Sequence, residues 1–323
     1  MRLLLWLPGR LLGALVVLVG VSILIFAAVR SLPGGYADVI LGSLSSPEAR
    51  AALAEQYGLD KSIPEQYLLW VLSALRGDFG TSMVSQLPVT DEFASRLPLT
   101  LGLGVIAIAL TVLIGIPLGV YTGTRSTGGR SSVLGRLVSS IGISVPEFVL
   151  ASVIVFLFSR FALGLRVGNV VSPATDLAAS IPTLILPGVV LAVFCIASTA
   201  RTTRDAVLGV LVEPHVGAAV ARGESKGFII RHHVLRNASI PILTLVATLT
   251  AYLLGGAVIV ETVFDVPGLG SYLVQALGRR DYAVIQSGVL LATVVFVVMS
   301  LLVDVLTGLI DPRVSVAKKG RWA

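Results

Sequence analysis

The sequence predicts an all-α integral membrane protein with six transmembrane helices, and three observations carry that expectation. The 323 residues are 55% hydrophobic and 13% charged, and the mean hydropathy is +0.93, far from a soluble globular average. Six apolar stretches, at 11–29, 99–123, 137–159, 181–200, 238–260 and 284–310, are long enough to cross a hydrocarbon core as helices. Lys and Arg are divided unevenly between the loops that these stretches define.

The first stretch lies between Arg10 and Arg30, and LIFAAVRSLPG offers no small-residue cleavage site, so it is expected to stay as an uncleaved anchor. The loop that follows, 31–98, contains two helix candidates. Ser46 with Pro47 and Ser62 with Pro64 are start signals, and Gly58 and Gly77 are stop signals. The second candidate places Tyr67, Leu68, Trp70, Val71, Leu72 and Leu75 on a broad apolar face, suited to packing on the outer ends of the membrane helices, and alternatively the external loop contacts an external partner protein or guards an outer gate. The second stretch has Gly115, Gly119 and Gly123 at four-residue intervals, a small-residue stripe that serves close packing within the chain or against a partner. In the third, Pro146 removes a backbone donor just before Glu147, so a kink facing the bundle interior is expected there. Pro187 with Gly188 in the fourth and Gly255 with Gly256 in the fifth are candidate bending points, and Cys195 is a small packing residue. As the sole cysteine it excludes an intrachain disulfide.

Orientation follows from the short loops. Fifteen basic residues fall in the N-terminal end, the loops containing Arg125 and Arg201, and the tail after 310, against four (Arg160, Arg166, Arg279, Arg280) on the opposite side. Both termini are therefore expected in the cytoplasm of a cell (plasma or inner) membrane, with 31–98 outside. The chain divides into an N-terminal end with the first transmembrane helix (1–30), an external helical loop (31–98), a core of helices two to six (99–310) and a cytoplasmic tail (311–323). Basic residues spread over several loops, without an aromatic-studded patch, give no support for nucleic-acid binding.

The stretch from Arg201 to Pro241 is the most informative in the chain. Pro214 stands where a first helical residue belongs and Gly223 where a helix stops, so 214–222 is expected to be a short helix. Gly217, Ala218, Ala219 and Ala221 leave little side-chain bulk, which lets another protein's cleft close around the backbone, and Arg222 and Lys226 flank the end with charge. This segment resembles the cytoplasmic EAA loop of ABC-importer permeases, and in particular the form in dipeptide and oligopeptide permeases. Ala218, Ala219, Gly223, His233, Arg236, Asn237, Ala238 and Pro241 fall at the peptide-permease spacing, while Gly217 stands where the general motif has an acid. The strings LPGG, YGLDKSIPEQYLLWVLSALRGDFGTS, RLPLTLGLG, VPEFVLA, VETVFDVPGLGSYLVQAL and VDVLTGLIDPR follow the order seen in peptide-permease subunits of the first type.

The resemblance implies a type I ABC importer permease fold, with a coupling helix between transmembrane helices 4 and 5. Pro214, His215, Gly217, Ala218, Ala219, Arg222, Gly223 and Lys226 would then contact an ATPase. It also implies a second homologous permease, two ATP-binding subunits and an external substrate-binding protein as partners, with a peptide as cargo. No G-x-x-x-x-G-K-S/T loop occurs, so the chain is expected to be non-catalytic and without a cofactor, with ATP and Mg on the partner subunits. H-E-x-x-H and G-x-S-x-G are absent too, and the three histidines, all in the docking loop, suit capping or contact roles. Glu147 and Asp304, acids inside spans, need partners or water. Pro146 and Glu147 are candidates for the translocation path, whereas Asp304, near the cytoplasmic end, suits structural pairing. Related permeases carry nickel chelates, haem or glutathione. An ion-driven secondary transporter would normally show inverted repeats and more intramembrane ionisable groups.

Overall fold

The computed structural model describes residues 2–31, 46–56, 60–125, 139–161 and 168–310. Gly58 and the tail 311–323 lie outside that description, as do the side-chain surroundings of Gly255, Gly256 and Asp304. Among the described residues the regular elements are helices, with an isolated bridge between Thr81 and Pro88.

Helix α1 (Arg2–Arg30) is followed by two short helices, α2 (Pro47–Gln56) and α3 (Ile63–Leu75), of 10 and 13 residues. Helix α4 covers Val89–Thr124 without a break, so the second membrane helix starts well before position 99. Its middle, Thr111–Gly115, widens to a π-helical turn just ahead of Pro117, which relieves the clash of the proline ring with the preceding turn. The third stretch is divided into α5 (139–144) and α6 (Glu147–Phe161). The division falls at Val145–Pro146, where the missing proline N–H and the restricted preceding residue end the first piece; the expected kink is a full interruption.

Helix α7 (Leu177–Leu211) has 35 residues, about 52 Å at 1.5 Å per residue. It overruns its apolar stretch at both ends. Asp176 caps its start, accepting from the Ala179 N–H at 2.9 Å. Then come α8 (Pro214–Ala221), α9 (Leu235–Val263), α10 (Leu269–Arg279) and α11 (Tyr282–Ile310). Among the described residues, four helical segments are long and apolar enough to cross a membrane: Pro8–Arg30, Val89–Thr124, Leu177–Leu211 and Tyr282–Leu302.

Helix α7 is the centre of the bundle. Leu184, Val190, Leu191, Ala192 and Cys195 pack with Leu99, Leu103 and Ala107 of α4, Ala151 of α6 and Leu249, Leu253, Ala257 and Val260 of α9. The glycine stripe of α4 serves this internal contact. A Cβ on Gly119 would lie 2.6 Å from the Ala200 carbonyl oxygen and one on Gly115 3.1 Å from that of Ile196, so the two backbones approach closely only with glycine there. A second cluster ties the opposite end together, with Val29 of α1, Val89 and Phe93 of α4, Leu269 and Ala276 of α10 and Val284 and Ile285 of α11.

Candidate functional site

Between α7 and α9 the chain folds into a bracket that carries α8. Glu213 precedes the helix in extended conformation and Pro214 occupies its first turn, where the absent N–H costs no hydrogen bond. Arg222 is the C-terminal cap, so the helix is one residue shorter than expected. Gly223 follows at φ +77°. Its N–H donates to the Val220 carbonyl at 2.9 Å and that of Glu224 to Ala219 at 3.2 Å, the paired bonds of a Schellman stop. Gly223 is glycine because a left-handed residue closes the helix.

The two faces of α8 differ. Val216 and Ala219 are buried against Val207 and Val210 of α7 and Ile229, Val234, Ala238 and Ile242 of the following segment. Ala219, at 0% exposure, mounts the helix on its own chain and is not free for another protein. Gly217, Ala218, Val220 and Ala221 face outward, joined by Val212 and Phe228 as exposed apolar neighbours. The outer face is thus small and apolar, next to the exposed cations Arg222, Lys226, Arg231 and Arg236. Lys226 opens a single helical turn capped by Ser225, whose Oγ accepts from the Phe228 N–H at 3.4 Å.

Polar side chains brace the bracket. Arg222 donates to Glu224 from Nη2 at 2.6 Å and from Nε at 3.0 Å, and His233 Nε2 lies 2.8 Å from the other carboxylate oxygen. The guanidinium hydrogen bond, aided by His233, holds the Glu224 carboxyl below the usual carboxylate range. His215 lies 3.1 Å from Glu213 and 3.3 Å from Asn237 Nδ2, which also donates to the His233 carbonyl. His232 stacks on Phe228 with ring centroids 4.1 Å apart. The three histidines make bracing contacts.

Within the bundle, the exposed Pro146 ends the interruption between α5 and α6, and Glu147 opens α6. Glu147 Oε1 accepts from the Tyr252 hydroxyl of α9 at 3.1 Å, and Tyr252 in turn packs on Phe194 at 5.1 Å. Glu147 is half-buried and Tyr252 exposed, so this pair lies at the bundle surface.

Two acids at the other end of the bundle are more deeply held. Glu261 of α9 has 0% exposure, and its carboxylate accepts from Thr100 Oγ1 at 2.5 Å and the Ser271 N–H at 2.8 Å. Thr100 Oγ1 also accepts from the Leu269 N–H at 2.8 Å, so side chains of α4 and α9 satisfy the first turn of α10. A Cβ on Gly268 would overlap the Glu261 carboxylate. Asp281 accepts from Ser82 Oγ at 2.5 Å, from the N–H groups of Met83 and Val84 at 3.2 and 3.4 Å, and from the Val284 N–H at 3.4 Å. It borders a cavity of about 140 Å³ shared with Glu92, Arg96, Tyr272 and Arg279.

Residues 115–316 match the family described as "Binding-protein-dependent transport system inner membrane component", and residues 3–104 match "Binding-prot-dependent transport system membrane comp, N-term". The chain belongs to the binding-protein-dependent inner-membrane transport family. It is 38% identical over 305 residues to a probable peptide ABC transporter permease, y4tP, of Sinorhizobium fredii, covering 94% of this chain and 97% of the relative. It is 34% identical over 323 residues to the dipeptide transport permease DppB of Escherichia coli (92% and 94%). The glutathione transport permease GsiC of Salmonella typhi is 36% identical over 305 residues (94% and 97%). Among solved structures, the MetNI methionine ABC transporter in inward-facing conformations matches with TM-score 0.50 at 18% identity, over 66% of this chain and 93% of that one. That likeness is one of fold.

For this permease-family chain, the structure brings Pro214, His215, Gly217, Ala218, Arg222, Gly223 and Lys226 together around one exposed helix, and turns Ala219 inward. Pro146 and Glu147 stand apart from that helix, beside Tyr252. Glu261 and Asp281 were not singled out by the sequence reading. The available signal was an acid closely followed by glycines in VETVFDVPGLGS, a pattern in which Gly268 and Gly270 leave room for a carboxylate.

Proposed function

We propose that this chain is the transmembrane permease subunit of an ATP-driven importer of dipeptides or oligopeptides. It would form half of the translocation path beside a second homologous permease, receive cargo from an external substrate-binding protein and couple to two separate ATP-binding subunits. The observation that carries the reading is 34–38% identity, over nearly the whole chain, to permeases named for peptide and dipeptide transport. The outer face of α8 supports the coupling role, because a rigidly mounted helix with small exposed residues suits insertion into a cleft. ATP-driven closure of that cleft would move α8 together with the ends of α7 and α9 that hold it. The chain's own part is non-catalytic.

Six membrane crossings fit this reading: the four long apolar segments, the 29-residue α9, and the α5–α6 pair. The charge asymmetry of the loops supports cytoplasmic termini. Glu147 and Pro146 are proposed to border the path, where the Tyr252 hydroxyl partners the acid.

Uptake by vesicles containing the assembled transporter tests the proposal. Labelled dipeptide should accumulate only with ATP and the binding protein. Accumulation driven by an ion gradient without ATP would overturn it. The similarity to GsiC favours glutathione as a second cargo reading, and ATP-driven uptake of glutathione with none of dipeptides would select it.

A further inference from the structure

Helix α3 is apolar along most of its length, with Glu65, Gln66 and Ser73 as its polar residues, and none of its residues is buried. One stripe, Tyr67, Trp70, Val71 and Ala74, is half-buried and turns to α1. Tyr67 Oη and Ser22 Oγ are 2.8 Å apart, and the Phe26 ring lies 5.4 Å from that of Tyr67 and 5.9 Å from that of Trp70. The opposite surface presents Leu68, Leu69, Leu72 and Leu75 at 44–78% exposure. In water such a helix would leave a large apolar face unsatisfied.

The level at which α3 is fixed points to its surroundings. Ser22 and Phe26 lie inside the apolar segment Pro8–Arg30, and they precede Arg30 by about 12 and 6 Å at 1.5 Å per residue. The helix therefore sits beside the last turns of a membrane span, below the level of Arg30. Ile23 and Leu24, in the same part of α1, are exposed apolar residues as well. Thirteen residues, or about 20 Å, are too few to cross a core of about 30 Å. Charged groups flank the apolar run: the Lys61–Glu65 pair at the start and Arg76 with Asp78 after the end. Both ends of α3 can thus reach headgroups while its middle stays apolar, with Tyr67 and Trp70 in the aromatic positions typical of a membrane boundary.

We infer that α3 is an interfacial helix whose leucine face is immersed in the acyl boundary of the bilayer leaflet next to Arg30. Lipid, rather than another protein chain or water, covers Leu68, Leu72 and Leu75. This inference requires only that α1 spans the membrane and is independent of the cargo.

Nitroxide labels on single cysteines at 68, 72 and 75, in a Cys195→Ala background, would test it in the full chain with its co-purifying subunits in lipid nanodiscs. Collision rates with oxygen, which concentrates in lipid, are compared with those of a water-soluble nickel chelate, and Asp60 serves as the water-facing control. The expected result is oxygen exceeding the chelate at all three leucine positions and the reverse at Asp60. Chelate exceeding oxygen at 68, 72 and 75 would place the face in water and overturn the inference. Low access to both reagents there would mean a protein cover, which overturns it equally.

Discussion

The two ends of the bundle are built on different principles. The α8 bracket is mounted mainly by apolar contacts drawn from a short stretch of chain, Val207 to Ile242, with Ile116 and Val120 of α4 packed against them, and its ionic contacts lie largely in solvent. At the other end, α10 is pinned by two carboxylates: Glu261 at its start has 0% exposure and Asp281 just past its end 2%. Their partners, Thr100 and Ser82, are 161 and 199 residues away in sequence. A bracket held by local apolar packing moves as a unit and keeps its outer face open. An end held by buried carboxylates resists partial change, most of all at Glu261, where a donor or acceptor left alone has no water to turn to.

The largest effect is therefore expected at Glu261. Glu261→Ala removes the acceptor for Thr100 Oγ1 and the Ser271 N–H, and each buried group left unpaired costs about 1–3 kcal/mol. The thermal midpoint of the purified complex should fall sharply, and the yield of assembled transporter with it. An unchanged midpoint would remove the contrast between the two ends. Asp281→Asn comes next: it presents an amide to a site lined by the Ser82 hydroxyl and backbone N–H groups, at a cost of about 1–3 kcal/mol. Its midpoint should lie between those of wild type and Glu261→Ala.

A smaller, local effect is expected at Gly223→Val. With φ at +77° and open space for a Cβ, the penalty is conformational, roughly 1–2 kcal/mol. It should unwind the end of α8 and reduce ATPase co-purification more than it lowers the midpoint. A parallel loss in both would mean that the bracket is no more autonomous than the opposite end.

The α8 bracket was legible in the sequence because its determinants are local. Pro214 and Gly223 punctuate the helix, and the small residues between them are adjacent in the chain. What the sequence did not reveal is which of those residues turn inward: Ala218 and Ala219 look alike until Val207 and Val234 are placed against one of them. The apolar stretches marked the membrane helices, and the helices themselves continue past those runs, as α4 does through Arg96 and Pro98 and α7 through Arg201 and Arg204. Glu261 fell one residue beyond a predicted span and so drew no attention. Its meaning depends on Thr100, and no periodic pattern links positions that far apart.

The smallest expected effect concerns Glu224. Its carboxyl titrates below the usual range, chiefly through the Arg222 hydrogen bond, so its bracing is present above the unfolded-state pKa and is lost as pH falls through the depressed folded-state value. Glu224→Gln should slightly reduce hydrogen-exchange protection over 214–224 at neutral pH, and the difference from wild type should vanish in acid. A difference that persists in acid would assign the bracing to shape instead of charge.

The most direct test of the account is Ala218→Trp on the outer face of α8. Ala218 is exposed and Ala219 is fully buried, so bulk at 218 should leave the chain's midpoint near wild type while bulk at 219 overpacks the bracket. Purified Ala218→Trp complex is compared with wild type for bound ATPase subunits and ATP-driven dipeptide uptake. The account predicts a normally folded permease that has lost both. A full complement of ATPase with wild-type uptake would contradict it.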